Sequence, residues 1–165
     1  MKQQCMVVLV ENNSGVLTRV TSLFMQRGFN IDSLTVSSTD NPRISRITIV
    51  TTGDTQTFSQ IMKQTAKLVE VKLIFSVEPQ FSIIRELLLV KFHVENGDFT
   101  GLEKLISDAG AVIADVTSGC LVAQMTDTPQ KIDEFLESVK DYKIMELCRS
   151  GATALERGKV YYDIN

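Results

Sequence analysis

The hydropathy of this chain changes period in the same order twice, from strand alternation to a helical stripe and back, and that repeat restricts the fold more than any single motif. Cys5 to Val10 is an apolar run of strand length. Val16, Leu17, Val20, Leu23 and Phe24 then fall on one helix face, with Ser14 as the expected N-cap and Gly28 as the residue that ends the helix. Strands are predicted over Ile31 to Ser38 and Ile44 to Thr51, joined by the turn formers Thr39-Asp40-Asn41-Pro42. A second helix opens at Asp54 or Thr55 with Phe58, Ile61, Met62 and Thr65 on one side. Val69 to Val77 then alternates, which points Val69, Val71, Leu73, Phe75 and Val77 inward.

Glu78-Pro79-Gln80 is the one evident break, and behind it the order returns. A strand at Leu87 to Val94 precedes a helix carrying Leu102, Leu105 and Ile106, then strands at Val112 to Val116 and Cys120 to Met125. Thr128 as N-cap and Pro129 at the first helical position start another helix, with Ile132, Phe135, Leu136 and Val139 as its stripe, before a strand at Ile144 to Cys148. The expected class is α+β: two ferredoxin-like βαββαβ domains in tandem, residues 1–78 and 79–165, each packing two helices on one face of an antiparallel sheet.

Several strands are apolar on both faces. Met6, Val8 and Val10 alternate with Cys5, Val7 and Leu9, as Leu88, Val90 and Phe92 do with Leu87 and Leu89. Helices cover only one face of such a sheet, so a second cover is required. Domains of this size also bury a small fraction of their surface alone. Oligomerisation through the sheets, or docking on a larger partner, is the expectation.

Composition excludes several classes. A net charge of −3 without clustered Lys and Arg argues against a nucleic-acid partner. The first apolar run is too short for a secretory h-region or a membrane span, so a cytoplasmic protein without a membrane partner is expected. Cys5, Cys120 and Cys148 are widely spaced and have no histidine at metal-ligand spacing, which reads as three reduced, buried small hydrophobes and no metal. His93, the sole histidine, lies on a strand opposite Val90 and Phe92 with no nucleophile motif beside it. Asp54, Asp108 and Asp133 sit where capping or solvation accounts for them. No catalytic residue is proposed.

One place does suit a ligand. In Asn12-Asn13-Ser14-Gly15 the chain enters a helix whose first N–H groups have no intrahelical partner, and Gly15 removes the side chain that would block a carboxylate. Asn30, just past Gly28, offers a carbonyl to an ammonium and an amide to a carboxylate. The same residues also read as plain helix punctuation.

The stretch "LVENNSGVLTRVTSLFMQRGFNIDSLTV", followed by "TDNPRISRITIV", "RELLLVKFHV", "ADVT" and "RSGATALERG", resembles the regulatory small subunit of acetohydroxyacid (acetolactate) synthase along essentially the entire chain. The resemblance implies an N-terminal ACT domain at 1–78 and a ferredoxin-like domain at 79–165 that contacts the catalytic subunit. It implies no catalysis in this chain, activation of that subunit, and feedback inhibition by L-valine in branched-chain amino acid synthesis. Thiamine diphosphate, magnesium and FAD would belong to the catalytic subunit. Valine would bind in an ACT homodimer between Asn12, Ser14, Gly15, Val16 and Leu17 of one copy and Asn30 and Ile31 of the other. Where relatives carry a more basic helix ending in arginine, this chain has Asp108-Ala109-Gly110. A stand-alone tandem ACT-type sensor for another amino acid is the alternative.

Overall fold

A computed structural model describes residues 2–95 and 97–158. The described residues form two compact units, residues 2–83 with 152–158 and, residue 96 apart, residues 84–151. The first holds β1 (Lys2–Glu11), α1 (Val16–Gln26), β2 (Ser33–Ser38), β3 (Ile44–Gly53), α2 (Thr55–Thr65) and β4 (Val71–Ser76). A 3₁₀ turn at Pro79–Phe81 leads into β5 (Ser82–His93), followed by α3 (Thr100–Asp108), β6 (Val112–Thr117), β7 (Cys120–Asp127), α4 (Pro129–Ser138) and β8 (Lys143–Arg149). Strand β9 (Thr153–Glu156) closes the described chain.

The sheets run β2-β3-β1-β4 and β6-β7-β5-β8, all pairs antiparallel, so each unit is βαββαβ with the same strand order. In the first unit Met6, Val8, Val10, Ile47 and Ile49 meet Val16, Val20, Phe24, Phe58 and Ile61 of the helices. Leu88, Val90, Phe92, Leu121, Ala123 and Met125 do the same against Leu102, Ile106, Ile132 and Phe135 in the second. No helix among the described residues is long and apolar enough to cross a membrane.

Helix ends follow local chemistry. Asp54 accepts from Thr57 N–H at 2.8 Å, and the Thr128 hydroxyl from Lys131 N–H at 3.4 Å behind Pro129. Gly28, at φ +66, closes α1: its N–H donates to Met25 O at 3.1 Å and Phe29 N–H to Phe24 O at 2.9 Å.

Four expectations are corrected. Ser14 does not cap α1; Gly15 occupies the N-cap in the left-handed region, φ 84 and ψ −10, with no side-chain cap bond. Strand β2 starts at Ser33 rather than Ile31, because Thr51 Oγ1 takes the Asn30 carbonyl at 2.6 Å and holds that stretch as a loop. Val69 is exposed, and Leu73 and Phe75 point away from the helices. The cause is a bulge between Leu9 and Val10, where Leu9 faces Leu73 but Val10 faces Val71. The extra residue, Lys72, puts Val71 and Ile74 on the core face and inverts the alternation beyond it.

The fourth concerns the second face of the first sheet. Val7, Leu9, Thr48 and Val50 are buried although they point away from the helices. Their cover comes from the same chain. Ala152 and Ala154 are buried, Thr35 Oγ1 donates to Ala152 O, and Arg46 Nη2 donates to Ala154 O at 2.6 Å. Arg157 N–H donates to Phe81 O at 2.7 Å and fastens the end of this segment. Residues 152–158 thus cluster with the first unit, and the division between the units falls after Ile83. In the second sheet Leu87, Leu89 and Met145 stay exposed.

Cys5 lies on the covered face, and burial pushes its thiol up to about 11 against the opposing Arg46 charge. At pH 8 only roughly one Cys5 in a thousand is then a thiolate, whereas Cys148 is exposed. Native iodoacetamide labelling followed by mass spectrometry is expected to modify Cys148 first and Cys5 only after denaturation. Equal labelling rates at pH 8 would contradict the burial of Cys5.

Candidate effector site

The Asn12 to Leu17 half of the site is built as a tethered turn. Asn12 is held twice by the β2–β3 connection: its N–H donates to Arg43 O at 2.7 Å and its Nδ2 to Pro42 O at 3.0 Å. Asn13 N–H donates to Glu11 O at 2.9 Å, and Val16 N–H reaches Asn13 O at 3.4 Å. Gly15 therefore completes a turn in a conformation that an L side chain adopts only under strain. No atom beyond its chain neighbours lies within 4 Å of where its Cβ would stand, so the space over the first turn of α1 is open. Ser14 is exposed and does not cap, which leaves the first-turn N–H groups without a side-chain acceptor. Val16 is buried in the core, while Leu17 is 39% exposed at the edge of the open space.

Charge around this turn is paired. Glu11 Oε1 accepts from Lys72 Nζ at 2.5 Å and Oε2 from Asn13 Nδ2 at 3.1 Å. Arg19 pairs with Glu70, and Glu11 N–H donates to Glu70 O at 2.9 Å. The helix N-terminus is thus a positive feature of the turn that no side chain caps.

The Asn30 half stands at the other end of α1. Asn30 is exposed, with Nδ2 at 3.3 Å from Asp32 Oδ1, and Ile31 is half-buried against the first core. Three successive residues of β3 hold this loop. Besides the Thr51 bond, Thr52 Oγ1 donates to Asp32 Oδ2 at 2.8 Å. A Cβ on Gly53 would come within 2.6 Å of the Phe29 ring. Sequence reading missed all three supports; the glycine ending a strand was the signal, since such a residue marks close approach of another group.

The two halves do not meet within one chain. An 11-residue helix separates them by roughly 16 Å at 1.5 Å per residue. His93 belongs to the second sheet, between Cys120 and Lys143, and faces away from the core of that unit. Among the described residues no group of three His, Cys, Asp or Glu side chains could hold a metal ion.

Residues 6–72 match the model of the AHAS small subunit-like ACT domain, a span that contains all the site residues named above, and residues 85–158 match the model of the small subunit of acetolactate synthase. The chain belongs to the acetolactate synthase small-subunit family. The acetolactate synthase isozyme 3 small subunit of Escherichia coli K12 is 42% identical over 152 residues, 92% of this chain and 93% of its own. The probable acetolactate synthase small subunit of Methanothermobacter thermautotrophicus is 39% identical over 151 residues, 91% of this chain and 90% of its own. The crystal structure of the small subunit from Thermotoga maritima superposes with a TM-score of 0.87 at 31% identity, over 97% of this chain and all of that one. The acetolactate synthase small-subunit fold thus accounts for both units, the returning β9 segment included within the second matched span.

Proposed function

We propose that this small subunit has no catalysis of its own, binds the catalytic subunit of acetolactate synthase in the cytoplasm, raises its activity and makes it subject to feedback inhibition by L-valine. The cofactors of the reaction, thiamine diphosphate, magnesium and FAD, reside in the catalytic subunit. The observation that carries the effector reading is Gly15: a left-handed N-cap with no capping side chain and open space around it. A valine carboxylate fits the N–H groups of that turn. Leu17 and Ile31 are apolar and accessible enough to meet an isopropyl group.

The separation of Asn30 from Gly15 supports a shared site. One small ligand touches both only when two copies meet, so the effector closes a homodimer in which each copy lends one half. Neither nucleic acid nor membrane enters this scheme.

Titration calorimetry with L-valine, against D-valine and L-aspartate, tests the reading. Stereospecific binding of L-valine is expected; a folded dimer that binds none removes the effector role. Asn30→Ala is expected to weaken valine by about 1–3 kcal/mol, the cost of leaving a buried polar partner unmade in the complex. Unchanged affinity in that variant would place the ligand elsewhere. Linkage adds a further check: the catalytic subunit must change valine affinity by the factor with which valine changes subunit coupling.

A further inference from the structure

We infer that Cys120, Met145 and His93 form a binding site for one soft monovalent metal ion of the copper(I) class, on the face of the second sheet that its helices leave open.

Three adjacent strands bring the donors together. β5 lies between β7 and β8, and Val90 and Phe92 set its core side, so His93 projects to the opposite side. On β7, Cys120 is the direct partner of His93 and shares that side, since its neighbour Leu121 is packed in the core. Directly opposed residues have Cβ atoms about 4.5–5.5 Å apart, within reach of one ion. On β8, regular alternation would turn Met145 toward the helices, because Glu146 opposes Lys91 on the open side. A bulge intervenes: Lys91 faces Glu146, but Phe92 faces Ile144. Met145 is the extra residue, and its Sδ comes to 3.7 Å from Cys120 Sγ. Re-aiming a side chain beside a functional site is a recurrent use of a bulge.

The spacing and the chemistry suit the same ion. Two sulfurs bound at about 2.3 Å to a tetrahedral or trigonal ion stand about 3.8–4.0 Å apart, so the sulfur pair is already close to a metal bite. The imidazole is held beside it. Val94 N–H donates to Gly119 O at 2.9 Å and fastens the end of β5 to the β6–β7 turn. A Cβ on Gly119 would lie 3.8 Å from His93 Cε1 and 4.0 Å from Nδ1, so the ring edge rests against the turn that leads into Cys120. Met145 is 54% exposed and Cys120 half-buried, which leaves the donors accessible. Thiolate and thioether are soft donors that select copper(I), and imidazole accepts the same ion. One thiolate cancels one positive charge, whereas a zinc dication in a closed site calls for four ligands. Binding releases the Cys120 thiol proton to solvent. Lys91 is no free cation beside the site, because its Nζ is engaged by Glu146 Oε2 at 2.7 Å. The thioether takes the third place, which is why no set of His, Cys, Asp and Glu alone marks the spot.

The test is anaerobic titration of the reduced, intact protein with copper(I) against the chromophoric chelator bathocuproine disulfonate. The parent is expected to take one equivalent from the chelator, and Cys120→Ser none. Met145→Leu and His93→Gln are each expected to weaken binding by about tenfold or more, since losing a ligand costs at least as much as losing the group that supports one. Cys148→Ser, which alters the exposed thiol, is expected to bind as the parent does. A parent that takes no copper overturns the inference. So does parental binding by Cys120→Ser, Met145→Leu or His93→Gln, and so does a loss of binding in Cys148→Ser. X-ray absorption of the loaded parent needs no variant to fold: two sulfurs at about 2.3 Å and one nitrogen at about 2.0 Å are expected. Coordination by sulfur alone, or by a single sulfur, overturns the three-donor site.

Discussion

Arg149→Leu is expected to destabilise the second unit by about 3–5 kcal/mol, the usual cost of stranding a buried charge. Glu86 is 6% exposed and receives both Nε and Nη2 of Arg149 at 2.8 Å, a two-pronged pairing that an ammonium could not reproduce. Nη1 adds Asp133 of α4 at 2.6 Å, so one guanidinium joins β5, β8 and α4. Asp133 is 64% exposed and loses little when its partner goes, whereas Glu86 has no water to replace it. The double variant Glu86→Leu with Arg149→Leu is expected to recover most of the loss, because it removes the charge along with its partner. Urea unfolding of the parent and both variants measures this. A loss below about 1 kcal/mol in Arg149→Leu would mean that the pair is screened like a surface bridge.

Gly15→Asp is expected to abolish the valine response, with affinity lowered about a hundredfold or more, while leaving activation of the catalytic subunit in place. An aspartate there sets its own carboxylate over the first turn of α1, where the proposed site would hold the effector carboxylate. Folding survives for two reasons. No neighbouring atom lies within 4 Å of the new Cβ, and aspartate tolerates the left-handed region better than most residues. The remaining strain is about 1–2 kcal/mol, offset in part by a negative charge at a helix N-terminus. Gly15→Ala separates the contributions: it carries the strain without the charge, so valine binding should persist at reduced affinity. Calorimetry and inhibition curves on the three proteins decide the matter. Valine binding by Gly15→Asp at parental affinity would sink the helix-terminus mechanism, and loss of activation together with inhibition would mark a defect in folding or dimerisation.

Much of the fold was legible because it rests on contacts a few residues apart. Asp54 capping Thr57, Thr128 before Pro129, and Gly28 closing α1 are local chemistry, and the helix stripes place Val16, Val20, Phe24, Ile132 and Phe135 where the cores are. The outward position of His93 followed from alternation along β5. Ser14 failed as a cap because residue type alone does not reveal that the Asn13–Val16 turn demands a positive φ at the capping position.

The candidate site divides along the same line. Its helix-terminus half could be read from the glycine and the asparagine, but the Thr51, Thr52 and Gly53 support of the Asn30 loop depends on two strands meeting in register. The bulge opposite Lys72, which turned Leu73 and Phe75 outward, likewise exists only once β1 and β4 pair. The sequence by itself determined the order of strands and helices, the caps that end them and the apolar stripe each presents, since these depend on periodicity and on neighbours within one turn. Only the tertiary structure decided what covers the second face of the first sheet: Ala152 and Ala154 arrive there through bonds to residues 117 and 108 positions earlier, and no local pattern encodes a contact at that separation.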